Sequence, residues 1–139
     1  ASKSLHIMII DDALEGNVPQ PGVTMEFKTK DPLVRRALLI MQQNIDTPVT
    51  VQEIAKRIGH SKRQIERHFR SALDASPQEV FLNIRLSFAH HLLKMTDKPI
   101  AQVAMDCGFC DSSHLGRSFR KRYGATPNAF RQLSQGIAI

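Results

Sequence analysis

Ser61-Lys-Arg-Gln-Ile-Glu-Arg-His-Phe69 is the stretch from which the rest of the chain can be read. Ile65, Phe69 and Leu73 recur at i, i+4 and i+8, the inward stripe of a helix, which leaves Lys62, Arg63, Glu66, Arg67 and Arg70 facing out. Ser61 is the predicted N-cap, with Gln64 in the matching capping-box position. Just upstream, Val51, Ile54, Ala55 and Ile58 lie at helical spacing, with Thr50 as cap and Glu53 as its box partner. Gly59 ends that first helix. Two short helices joined by a three-residue turn containing glycine make a helix-turn-helix pattern. A basic outer face on the second helix is what insertion into a DNA major groove needs.

The pattern then repeats. Ile54, Ala55 and Gly59 are matched by Val103, Ala104 and Gly108 at an offset of 49. After one extra residue in the turn the offset is 50, and Ile65, Phe69, Arg70, Leu73 and Pro77 fall on Leu115, Phe119, Arg120, Tyr123 and Pro127. Two units matched at their core and turn positions are a far more specific signal than one, because an internal duplication is hard to obtain by chance.

The second unit, with Gly108-Phe-Cys-Asp-Ser-Ser-His-Leu115, Phe119-Arg-Lys-Arg-Tyr-Gly124 and Thr126-Pro127, resembles the signature of the AraC/XylS transcription regulators. The first unit and the helix between the two fit the same family, so the resemblance covers roughly residues 31 to 133. Cys110 stands where that family has a serine-type cap, His114 where Gln, Ser or Tyr is frequent, and Gly116 offers no side chain at an outward position. The resemblance implies a sequence-specific regulator of transcription that binds double-stranded promoter DNA, contacts RNA polymerase as an activator, and carries an effector or oligomerisation domain before this module.

The 139 residues carry a net charge of +6 at pH 7. The charge is uneven: residues 1–30 hold three Lys/Arg against four Asp/Glu, and the remainder sixteen against nine. A polyanionic partner for the second part follows, nucleic acid before membrane. The sequence has no apolar run long enough to span a bilayer and no signal peptide pattern, and two cysteines make no disulfide framework; a cytoplasmic setting is expected.

Taken in order, Leu5-His-Ile-Met-Ile-Ile10 suggests one strand, and the following Asp11-Asp12 resembles the opening of a phosphoacceptor receiver domain. Thirty residues cannot build that fold, so residues 1–30 are read as a linker or the remnant of a preceding regulatory domain. Asp31-Pro32 opens the first firm helix as N-cap and N1, with Leu33, Ala37, Ile40, Met41 and Ile45 as its stripe and Pro48 as its end. Ser76-Pro77-Gln78-Glu79 is a capping box that starts a long helix to about Met95, roughly 28 Å in length. That helix shows two apolar stripes, one of Val80, Phe81, Ile84, Phe88, Leu92 and Met95, the other of Leu82, Leu86, Ala89 and Leu93. A surface helix needs only one, so it is read as a connector. The expected fold is all-α, with about seven helices: a first helix-turn-helix unit over 31–75, the connector over 76–96, a second unit over 97–133, and a tail over 134–139.

Family recognition helices reach DNA through outward positions in their first two turns. Carried onto this sequence, base contacts fall on Arg63, Glu66 and Arg67 in the first unit and on Ser112, Ser113, Gly116 and Arg117 in the second. The chemistry agrees: arginine pairs in a bidentate manner with guanine, glutamate accepts from cytosine N4, and short serine hydroxyls suit phosphate or water. The first helix is therefore expected to specify sequence more strongly than the second. Lys62, Gln64, His68, His114, Arg120 and Lys121 are the expected contacts to the DNA backbone, with Arg122 in the same basic run. Arg70 and Arg120 occupy matched positions suited to structural ion pairs. Successive major grooves on one face are about 34 Å apart, so docking both units at a closer separation would bend the duplex.

Cys107-Gly-Phe-Cys110 has the spacing of redox and zinc sites, but no second cysteine pair completes a zinc site, and a helical setting does not suit a thioredoxin-like role. The repeat places Cys107 over buried Ile58 and Cys110 over the cap Ser61. The chain shows no Gly-rich phosphate loop, paired catalytic carboxylates or nucleophile elbow, so neither an enzyme nor a bound cofactor is expected. The alternative to DNA recognition is a basic helical module that binds an acidic protein partner.

Overall fold

A computed structural model of the chain describes residues 7–8, 26–27 and 29–136. The elements are β1 (Ile7–Met8), β2 (Glu26–Phe27), α1 (Pro32–Gln43), α2 (Val51–Ile58), α3 (Lys62–Leu73), α4 (Pro77–Met95), α5 (Ile100–Asp106), α6 (Ser112–Tyr123) and α7 (Pro127–Ser134). Helices carry the fold, as expected. β1 and β2 form a two-rung antiparallel ladder, Ile7 opposite Phe27 and Met8 opposite Glu26. The run expected as one strand thus contributes two paired residues; the rest of it, the Asp11-Asp12 pair and the final residues after Gly136 lie outside the described residues.

The described chain divides into two compact units, one made of residues up to Asn44 together with Pro48–Ile84, the other of Ile45–Thr47 and the residues from Arg85 on. In the first unit α1 packs on both α2 and α3, and α2 on α3. Asp31 caps α1, its Oδ1 accepting from the N–H of Leu33 at 2.9 Å and of Val34 at 3.3 Å. The buried face of α1 is Leu33, Val34, Ala37, Leu38 and Met41. Ile40 is only half-buried, and Ile45, though buried, lies beyond the helix. The helix ends four residues before the expected stop at Pro48, because Asn44 caps it: its Nδ2 donates to the Ile40 carbonyl at 2.7 Å and its N–H to Met41 O at 3.1 Å. Thr50 caps α2 by accepting from the Glu53 N–H at 3.1 Å, but the Glu53 carboxylate takes Arg57 at 3.2 Å, so the expected box is only half made there. Ile65, Phe69 and Leu73 of α3 are fully buried. Burial of a side chain such as Phe69 contributes about 2–3 kcal/mol.

In the second unit α6 packs on α5 and α7 on α6. The repeat is met in the core: Val103, Ala104, Leu115 and Phe119 are as buried as Ile54, Ala55, Ile65 and Phe69. His90, Phe119, Tyr123 and Phe130 form an aromatic cluster, the His90 ring centred 4.3 Å from Phe130 and 4.8 Å from Tyr123. Arg131 fastens α7 by donating to the carbonyls of Leu93 and Lys98. α4 contributes residues to both units. It is buried around most of its circumference, with Asn83 and Ser87 joining Val80, Phe81, Ile84, Leu86, Phe88, Ala89, Leu92 and Leu93. Leu82 is half-buried and Met95, expected in the first stripe, is exposed at the helix end. Ser76 holds the start of α4 by accepting from the Glu79 N–H at 3.1 Å.

Candidate nucleic-acid interface

The turn of the first unit is closed by Gly59 at φ 86°, a left-handed conformation that a Cβ would disfavour. The N–H groups of Gly59 and His60 both donate to the Ala55 carbonyl at 2.9 Å. α3 then starts with a complete capping box: Ser61 Oγ accepts from the Gln64 N–H at 3.1 Å and Gln64 Oε1 accepts from the Ser61 N–H at 2.9 Å. The Gln64 side chain, an expected phosphate contact, is thus committed to its own helix start, and its Oε1 also lies 3.3 Å from His60 Nδ1. This entry leaves Lys62, Arg63, Arg67 and Arg70 exposed and Glu66 half-buried. His68 is turned toward the start of α1, its Nδ1 2.8 Å from Asp31 Oδ2. Burial would raise the Asp31 pKa, but the His68 hydrogen bond and the N–H groups of Val34 and Leu33 outweigh it and hold the carboxyl below its ordinary value. Arg70 Nη1 stands 3.6 Å from Asp74, an exposed i,i+4 pair. Such a pair is worth a few tenths of a kcal/mol at most.

The turn of the second unit follows the same path for one residue further. Gly108 has φ 80°, and Phe109 N–H donates to the Ala104 carbonyl at 2.9 Å, as His60 does to Ala55. Cys110 is the extra residue. It does not cap α6; Asp111 does, accepting from the His114 N–H at 2.8 Å. An aspartate directly before the serine pair was the signal, and the 49-residue offset hid it. Ser112, Ser113, Arg117, Arg120 and Lys121 are exposed. His114 is half-buried, edge-on to Phe109 with ring centroids 5.1 Å apart. The Arg122 guanidinium lies over the Tyr123 ring at 5.3 Å. Gly116 is helical, and a Cβ there would meet nothing within 4 Å.

Sequence reasoning did not single out Arg85 and Phe109. Arg85 Nη1 donates to the Gly108 carbonyl at 3.1 Å, and its guanidinium lies 4.9 Å from the Phe109 ring centre. Burial of the Arg85 guanidinium lowers its pKa. Cys107 is fully buried, and its thiol is pushed up to about 12, first by burial and then by the Asp106 carboxylate. Asp106 itself is held low against its burial by hydrogen bonds from Lys98 at 2.8 Å and Gln102 at 2.9 Å. Among the described residues no three His, Cys, Asp or Glu stand together as a metal site would need, and no helix is long and apolar enough to cross a membrane.

Two capped helices, each entered through a left-handed glycine and each showing exposed cations, define the class: a tandem helix-turn-helix protein. The family described as a helix-turn-helix domain matches residues 35–133. The chain is 32% identical over 130 residues to the HTH-type transcriptional regulator ArgR of Pseudomonas aeruginosa, an alignment covering 93% of this chain and 40% of that protein. Its fold matches a transcriptional regulator of Chromobacterium violaceum described as AraC-type, with a TM-score of 0.72 and 33% identity over 77% of this chain and 96% of the other. It also matches the DNA-binding domain of AdpA, solved in complex with a target DNA, with a TM-score of 0.69 and 28% identity over 76% and 94%. The chain belongs to the AraC-type helix-turn-helix family of transcription regulators.

Proposed function

We propose that this chain is the sequence-specific DNA-binding module of a cytoplasmic transcription regulator, and that α3 and α6 enter successive major grooves of an asymmetric promoter site. The observation that carries this reading is the outer face of α3, where Lys62, Arg63 and Arg67 stand exposed on a helix whose entry is locked by the full Ser61–Gln64 box. Arg63, Glu66 and Arg67 read bases from α3, and Arg117 reads them from α6 with Ser112 and Ser113. Lys62, Arg120, Lys121 and the half-buried His114 serve the phosphates, with Gln64 and His68 at the margin because each already has an internal partner. The module spans residues 31–133, and residues 1–30 link it to a regulatory domain, a reading supported by the 40% share of ArgR that the chain covers. Activation through RNA polymerase follows the AraC/XylS resemblance.

The test is selection from a random duplex library at two salt concentrations. Two informative blocks about one helical turn apart are expected. Weak, steeply salt-dependent binding without a motif would overturn base reading and favour a basic module for an acidic protein partner.

A further inference from the structure

We infer that Arg85 is a positioning residue for the second recognition helix: from α4 it holds the turn at Gly108 and Phe109, and through Phe109 the first turn of α6 at His114. The inference rests on base reading by α6. Three contacts make the chain of support, all within the second unit. Arg85 Nη1 donates to Gly108 O at 3.1 Å, the carbonyl of the residue whose φ of 80° turns the backbone. The same guanidinium lies over Phe109, 4.9 Å from its centre, and Phe109 meets His114 edge-on at 5.1 Å. Phe109 is 4% exposed, so this turn is pinned from inside.

The two units differ here in a way that explains the need. In the first unit the place of Phe109 is taken by exposed His60, and α3 is locked by a reciprocal capping box. In α6 the N3 residue is His114, which has no carboxylate or amide to return a bond to a cap N–H as Gln64 does. Asp111 supplies one half of the lock. The packing of His114 on the Arg85-held Phe109 ring supplies a second restraint, and it acts on the turn of α6 that carries Ser112 and Ser113. A planar guanidinium can donate to a carbonyl and lie flat on a ring together; an ammonium group keeps the charge but not that geometry.

The experiment compares base preference by library selection for Arg67→Ala, Arg117→Ala, Arg85→Lys and Phe109→Leu, each checked for native helical circular dichroism at the assay temperature. The first two variants mark the blocks read by α3 and α6. Arg85→Lys and Phe109→Leu are expected to lose about tenfold discrimination, the size of one base contact, in the Arg117 block while the Arg67 block is kept. Unchanged preference in the Arg117 block, or equal weakening of both blocks, would overturn the positioning role. If Arg117→Ala itself alters no block, α6 reads no bases and the inference falls with that reading. Should Arg85→Lys fail to fold, Phe109→Leu alone decides between these outcomes.

Discussion

His68 Nδ1 lies 2.8 Å from Asp31 Oδ2, so a residue of the first recognition helix is tied to the N-cap of a helix that begins 36 positions earlier in the chain. The same carboxylate accepts from Leu33 and Val34, and its folded pKa is below the ordinary 3.8. A carboxyl with a depressed folded pKa contributes stability above its unfolded value, and that contribution is lost as pH falls through the folded value. Asp31→Ala is expected to cost about 1 kcal/mol at pH 7, the usual worth of an N-cap. The cost should shrink as pH falls below 3.8 and on through the lowered folded value, because the wild-type carboxylate is then protonated while the alanine variant has no cap charge to lose. Urea unfolding at pH 7 and at a series of pH values below 3.8 checks both the loss and its decline.

Gly59 and Gly116 should respond to alanine with opposite signs. At Gly59 the backbone sits at φ 86°, so a Cβ is strained even in open space, and Gly59→Ala should destabilise by about 1–2 kcal/mol. At Gly116 the backbone is helical and the space is open, so Gly116→Ala should stabilise by about 0.5–1 kcal/mol. Thermal melts of the two variants settle the signs.

The two cysteines should differ sharply toward an alkylating reagent. Cys110 is exposed, whereas Cys107 is buried with a thiol pushed up to about 12. Because the thiolate is the reactive form, native protein at pH 8 should take one iodoacetamide adduct, on Cys110, and a second only after unfolding. Peptide mass spectrometry reads the site directly.

Removing an arginine and removing a lysine from α3 should have different signatures. Arg67→Ala is expected to cost about 1–3 kcal/mol at one base pair and to relax preference there. Lys62→Ala should weaken binding to all sequences alike and lower the salt slope by about one unit. Titrations of a selected site and a scrambled duplex over a salt series distinguish them. Arg67→Ala should also disturb preference more than Arg117→Ala, and the reverse order would remove α3 as the principal reader.

Much of the architecture was legible because it depends on local patterns. Ile65, Phe69 and Leu73 could be read as core from spacing alone, since 3.6-residue periodicity places them on one face whatever packs against it. The caps Asp31, Thr50, Ser61 and Ser76 were likewise visible, because a cap bonds within three residues of itself. The repeat carried the second unit with it, down to Leu115 and Phe119. Where two local signals competed, the reading slipped by a few positions. Asn44 stopped α1 before Pro48 could, and Asp111 took the cap expected at Cys110.

Long-range partnerships were not legible. Nothing near His68 in the sequence points to Asp31, and nothing near Arg85 points to Gly108, 23 residues away. Each side chain could have faced solvent with equal local consistency, and helical spacing says only which face it occupies. Tertiary packing decides, because a buried carbonyl or a capping carboxylate is stabilised by whatever donor the fold brings within reach. The sequence by itself therefore determined the helices, their buried stripes and the exposed cations of α3; the tertiary structure alone decided which polar side chains are committed to holding the turns and which remain exposed.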